Sequence, residues 1–199
     1  MQRKYNYAVG ITDDVSEEIF VVQVLPSGPD GFPYDEIVDI AVCSVDLDKS
    51  EYRTVYSNVI FYEPKYLGKK KLDYLFGIGK LTAEEIYAGD PEKKVAEEVM
   101  NIIEGKNISA FDGKQEFGRY MTFDPWDITY RTTVMPSVSS KMPISLKCRF
   151  PSDEPVTIRK AYRKLLKNDP AGIGTGRRAV HLAHMTSELM MHMRAKGKY

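Results

Sequence analysis

Residues 19–25 (IFVVQVL) and 36–47 (EIVDIAVCSVDL) decide the fold, with 53–62 (RTVYSNVIFY) completing the pattern. The first run is short, apolar and rich in β-branched residues. It ends in Pro26-Ser27-Gly28-Pro29-Asp30-Gly31, which reads as a buried strand running into a loop. The second alternates: Ile37, Asp39, Ala41, Cys43 and Val45 share one face, and Ile40, Val42 and Leu47 help cover the other. Asp48-Lys49-Ser50-Glu51 supplies a turn, and the alternation resumes from Arg53 until Glu63-Pro64 ends it. The pair predicts an antiparallel hairpin beside a buried first strand.

Downstream the period changes. Asp90-Pro91 offers a helix cap and a proline at the first helical position, with Glu92 in the first turn. Val95, Val99, Ile102 and Ile103 then form one apolar stripe, and Gly105 is placed as the stop. Residues 107–111 (NISAF) predict a short buried strand, and Trp126-Asp127-Ile128 another. Residues 134–155, with four prolines, predict a connecting loop. Ile158, Ala161, Tyr162, Leu165 and Leu166 mark a helix, with Arg159, Lys160, Arg163 and Lys164 off its stripe. A last helix runs from Arg177 to about Arg194 after the glycine-rich loop 168–176. Strands, helix, strands and helices in this order predict an α/β layered sheet.

The chain has 199 residues, 43% hydrophobic and 28% charged, which suits one domain spanning 1–199 with a core over about 19–195. No apolar run reaches the ~20 residues of a membrane span. Met1 to Tyr5 leads into polar sequence with no secretory pattern, so a cytoplasmic protein with reduced Cys43 and Cys148 is expected. The 28 bases and 28 acids balance overall but not locally. From Val156 to Tyr199 there are ten Lys/Arg against Asp169 and Glu188 alone. Such a segment is either an electrostatic footprint for phosphates or the solvated face of two helices.

The same stretches resemble the DEDD (DnaQ-like) 3′–5′ exonucleases, a ribonuclease H-like family, and most of all its DNA polymerase III proofreading members. Residues 34–42 (YDEIVDIAV) resemble the family's second strand, and 77–91 (GIGKLTAEEIYAGDP) its entry to the first long helix. Residues 110–120 (AFDGKQEFGRY) resemble the third motif region, Asp127 falls at the Asp of a "D-T" strand, and 177–183 (RRAVHLA) resemble the last motif through Ala179 and Ala183. The resemblance implies a three-layer α/β fold: a central mixed five-stranded sheet flanked by helices. It also implies phosphodiester cleavage by two divalent metals on four carboxylates, with a general base.

Carried over position by position, the implied catalytic set falls on Gln23, Leu25, Glu116, Arg177 and Leu182. Of the four carboxylates one remains, as Glu116, and the base has become a cation. Mg²⁺ or Mn²⁺ wants anionic oxygens, leucine offers none, and a neutral amide is a poor substitute. The expectation is a catalytically degenerate domain with no cofactor, retained for binding. Its implied partners are single-stranded DNA or RNA, or a protein of replication, repair or RNA processing; a homodimer is possible, and a membrane is not. Arg177 and Arg178, flanked by Lys160, Arg163 and Lys164, are the candidate nucleic-acid contacts. Arg177 could instead pair with Glu116 as a purely structural replacement for the metal. Two alternatives stay open: a protein–protein scaffold without nucleic acid, and a residual Mg²⁺- or Mn²⁺-dependent exonuclease on Glu116, Asp39 and Asp112, joined by Asp127.

Three other features carry competing readings. Ala171 to Gly176 followed by two arginines suggests a phosphate-docking helix start, without the ending of a P-loop. His181 and His184 share a helix face but lack accompanying ligands. Met185, Met190, Met191 and Met193 suit a core or an adaptable partner surface. Lys69-Lys70-Lys71 and the tail from Arg194 are read as exposed solubilising charge.

Overall fold

The computed structural model describes residues 18–128, 131–146 and 156–199. Strands β1 (Glu18–Pro26), β2 (Ile37–Asp46) and β3 (Glu51–Val59) form the expected antiparallel unit. β4 (Asn107–Ser109) adds parallel to β1, and the two-residue β5 (Thr133–Val134) parallel to β4. The order is β3-β2-β1-β4-β5, so β1 lies at the centre of a mixed five-stranded sheet. β1 is buried from Ile19 to its end, which explains why it reads as an apolar run rather than as an alternation.

Helix α1 (Pro64–Tyr74) breaks at Gly68, where φ is 73°, and passes into a π-helical turn at Leu75–Gly79. A short α2 (Ala83–Tyr87) follows, held by a capping box between Thr82 and Glu85. α3 (Glu92–Ile103) buries Val95, Ala96, Val99, Met100 and Ile103 against the sheet. Each large apolar side chain there contributes about 1.5–3 kcal/mol. Gly105 stands just past its end with φ 70°, a conformation that costs a side-chain-bearing residue energy. The chain then forms a second π-helical segment, Lys114–Met121. α4 (Ile158–Leu166) and α5 (Ala179–Ala195) close the described fold.

Three layers result. One face of the sheet packs Ile19, Val21, Ala41 and Cys43 against α4 and α5, including Met185, Met190 and Met193. The other packs Phe20, Val22, Val24 and Val42 against α3 and Phe117 to Ile128. A smaller cluster joins Leu25 and Val38 to α1 and α2. The methionine stripe of the last helix is therefore core, with Met191 only half-buried. Among the described residues no helix is long and apolar enough to cross a membrane.

Several local expectations need correction. Trp126 to Ile128 is not a strand: Trp126 is buried in the cluster with α3 and donates to Glu92 Oε1 at 3.0 Å, and the fifth strand lies at Thr133–Val134. Ile37 does not share the Ala41 face, because the β1–β2 register shifts after Leu25 and turns Ile37 to the α3 side. Leu47 packs with Val45 toward α5, not opposite it. Lys71 is not a free surface charge, since its Nζ lies 2.7 Å from Glu36 Oε2. The last helix begins at Ala179, two residues later than its motif suggests. Cys148 lies outside the described residues; Cys43 is buried and free, its thiol pushed up by burial.

Candidate functional site

The centre of the sheet carries a polar group where its neighbours are apolar. Gln23 is fully buried on β1, in the row that holds Ile19 and Val21. Its amide orientation follows from its surroundings: Nε2 donates to Glu116 Oε1 at 3.1 Å and the carbonyl accepts from Phe111 N–H at 2.8 Å. Val24 N–H donates to the other Glu116 oxygen, also at 3.1 Å. Both carboxyl oxygens are thus engaged by β1. The π-helical segment after Asp112 delivers Glu116 there, with Phe117 and Met121 packed beneath.

Glu116 is 8% exposed. Burial pushes its carboxyl up to about 8; the Val24 N–H and the Arg177 guanidinium pull it down, and the Asp112 charge adds to the rise. Near neutral pH the group is therefore held largely in its neutral form.

Above Glu116 opens a cavity of about 380 Å³. Phe111, Ile158 and Leu182 form its apolar wall, and Asp112, Arg159 and Arg177 its charged rim. Four of the five carried-over positions meet here: Gln23 through its bond to Glu116, and Glu116, Arg177 and Leu182 directly. Leu25 does not. It is fully buried in the cluster with Leu75, Leu81 and Ile86, and a Cβ on Gly79 would approach its Cδ2 to 2.7 Å.

The other carboxylates are committed elsewhere. Asp39 is fully buried, and its Oδ2 accepts from Arg178 Nε at 2.8 Å and from Ala179 N–H at 3.0 Å. Arg178 Nη1 reaches Glu85 Oε1 at 2.7 Å, so one guanidinium ties β2, α2 and the start of α5 together. Arg178 is thereby an internal ion-pair partner, with 21% of its side chain exposed, and not the free contact its sequence position suggests. Asp112 Oδ1 caps the π-helical segment by accepting from Lys114 and Gln115 N–H. Asp127 is exposed, and its charge acts on Arg131 rather than on the cavity. Among the described residues no three His, Cys, Asp or Glu side chains group closely enough to hold a metal ion. A two-metal pair does not fit this donor set: one buried carboxyl facing β1, a leucine, an amide and two cations.

Arg177 is exposed, with its backbone N–H bonded to Ile78 O and its Nη1 3.4 Å from Tyr74 Oη. It does not bond Glu116. Sequence reading missed Arg159, which reaches from α4 to the carbonyls of Gly174 (3.0 Å) and Gly176 through Nη2 alone. Its place off the apolar stripe of α4 was visible; the loop that wraps back to meet it was not. Lys160, Arg163 and Lys164 are exposed on α4. The glycine-rich loop is a packed entry to α5: a Cβ on Gly176 would sit 2.8 Å from Gly79 O. His181 and His184 bond Thr175 O (3.1 Å) and Thr54 Oγ1 (2.7 Å), which accounts for both without a ligand.

The sheet order, the carboxyl-bearing segment after β4 and the final helix define the fold of the DEDDh 3′–5′ exonucleases. Among solved structures, the chain is similar to a 3′-exonuclease that recognises the 3′ end of a histone mRNA stem-loop. The TM-score is 0.69 at 10% identity, over 94% of this chain and 85% of that one. It is also similar to the nuclease domain of 3′hExo bound to rAMP (TM-score 0.56, 13% identity, 94% of each chain). E. coli Exonuclease I with a dA16 oligonucleotide gives 0.62 at 12% identity, over 90% of this chain and 41% of that one. No protein-family model and no curated protein sequence matches the chain.

Proposed function

We propose that this chain is a catalytically degenerate 3′–5′ exonuclease-like domain retained to bind single-stranded nucleic acid. The observation that carries the reading is the content of one cavity: a single buried carboxyl bonded to β1, with a leucine and two arginines around it. Divalent metals normally supply several kcal/mol of transition-state stabilisation in phosphodiester cleavage, and these residues offer no anionic cage to hold them. Guanidiniums do suit phosphate: they are always charged and donate in a fork that matches its oxygens. The exposed Lys160, Arg163 and Lys164 extend the positive surface along α4 from Arg159. Similarity to proteins solved with an RNA stem-loop and with a DNA oligonucleotide supports the ligand class.

Fluorescence anisotropy with 5′-labelled single-stranded DNA and RNA of 20 nucleotides tests the reading. Binding should weaken steeply between 50 and 200 mM salt as phosphate contacts are screened. No binding of either polymer at 50 mM salt would overturn it and leave a protein–protein scaffold.

A further inference from the structure

The cavity fails as a metal site, and the way it fails points to what it holds. Arg177 and Arg159 line one rim, and neither forms an ion pair with a carboxylate among the described residues. Arg159 is crowded by positive charge: burial, then Arg163, then Arg177 push its guanidinium down from its ordinary value. Two adjacent cations without a paired anion are a standing electrostatic cost that a bound anion would remove. The N-terminal turn of α4 adds to the field, because Thr157, Ile158 and Arg159 line the same cavity. Thr157 Oγ1 satisfies one amide of that turn, Lys160 N–H.

The acidic groups do not cancel this field. Glu116 presents both oxygens to Gln23 and Val24, and Asp112 directs Oδ1 to the amides of its own turn. The opposite wall, Phe111, Ile158 and Leu182, is apolar. A volume of about 380 Å³ lies in the range of small-ligand pockets.

Resting on the nucleic-acid reading above, we infer that the cavity receives one nucleoside monophosphate unit, its phosphate held by Arg177 and Arg159 without any divalent metal. The unit is either the terminal residue of a strand or a free mononucleotide.

The test is anisotropy with a 5′-labelled six-nucleotide single-stranded DNA, in Mg²⁺ and in EDTA, with AMP and adenosine as competitors. Direct calorimetric titration of AMP in EDTA runs alongside. The expected result is oligonucleotide affinity in EDTA within twofold of that in Mg²⁺, displacement by AMP and none by adenosine. Arg177→Gln, a change at an exposed side chain, should weaken both ligands tenfold or more, and Lys196→Gln should change neither. Loss of binding in EDTA, or equal competition by adenosine, would overturn the metal-free phosphate site while leaving nucleic-acid binding in place. AMP bound in calorimetry with no oligonucleotide bound would support the site for a free mononucleotide and overturn the nucleic-acid reading. Neither ligand bound in either buffer would overturn both.

Discussion

Arg177 and Arg178 are neighbours in the chain with opposite fates. Arg178 turns inward, where fully buried Asp39 and half-exposed Glu85 grip its guanidinium. Arg177 turns outward over a cavity whose one nearby buried carboxyl is already engaged by β1. Residue type does not separate them; the carboxylates each one meets do. A buried Asp needs a cation to stay charged, so it captures Arg178 for the fold. A Glu held largely neutral makes no such demand, and Arg177 is left available.

The contrast breaks most visibly under alanine substitution. Arg178→Ala strands Asp39 with one backbone donor, and the loss of a buried pair's partner costs about 3–5 kcal/mol. Urea denaturation should show this as a lowered midpoint, with part of the loss recovered when Asp39→Leu is added. Arg177→Ala should stay within about 0.5 kcal/mol, as exposed substitutions do. If the two variants lose equal stability, the division between structural and binding arginine is wrong.

A smaller effect sharpens the Glu116 half of the comparison. An acid whose folded pKa lies above its ordinary value destabilises the fold as pH rises. The unfolded chain ionises above 4.5, while the folded one keeps its proton to about 8. Wild-type stability should therefore carry a falling component across that window, present in wild type and missing from Glu116→Gln. His181 and His184 act in the opposite sense: burial lowers both, so their contribution rises as pH climbs through the histidine range. The difference between the two proteins removes them. A difference curve that stays flat from pH 4.5 to 8 would mean Glu116 is ionised in the fold.

The smallest effects test the supports of the site. Thr157→Ala removes the cap of α4 at the cavity edge and should cost about 1 kcal/mol. Gly105→Ala, at φ 70°, should cost about as much without touching binding. Thermal denaturation and anisotropy on the same preparations separate the two outcomes.

The elements legible from the sequence are those written in one clear period. β1 to β3, α3 and α4 fall where apolar runs, alternation and the Val95–Ile103 and Ile158–Leu166 stripes place them. The misses have physical causes. β5 is two residues long and has no pattern to read, while Trp126 and Ile128 carry the burial of a strand without its hydrogen bonds. The segment around Glu116 is π-helical, with a spacing that neither the strand nor the α-helix period detects. At the site, the convergence of Gln23, Glu116, Arg177 and Leu182 was legible through the resemblance. The capture of Arg178 by Asp39, 139 positions away, and of Arg159 by the loop carbonyls was not, because both are tertiary contacts.

The central claim is that this cavity no longer cleaves phosphodiesters. Its most direct test is digestion of 3′-labelled single-stranded DNA and RNA by purified protein in Mn²⁺ and in Mg²⁺, beside Glu116→Ala. The account predicts intact substrate with both proteins over days. Shortening from the 3′ end by the wild type, abolished in Glu116→Ala, would contradict it and mean that a metal site is rebuilt around Glu116.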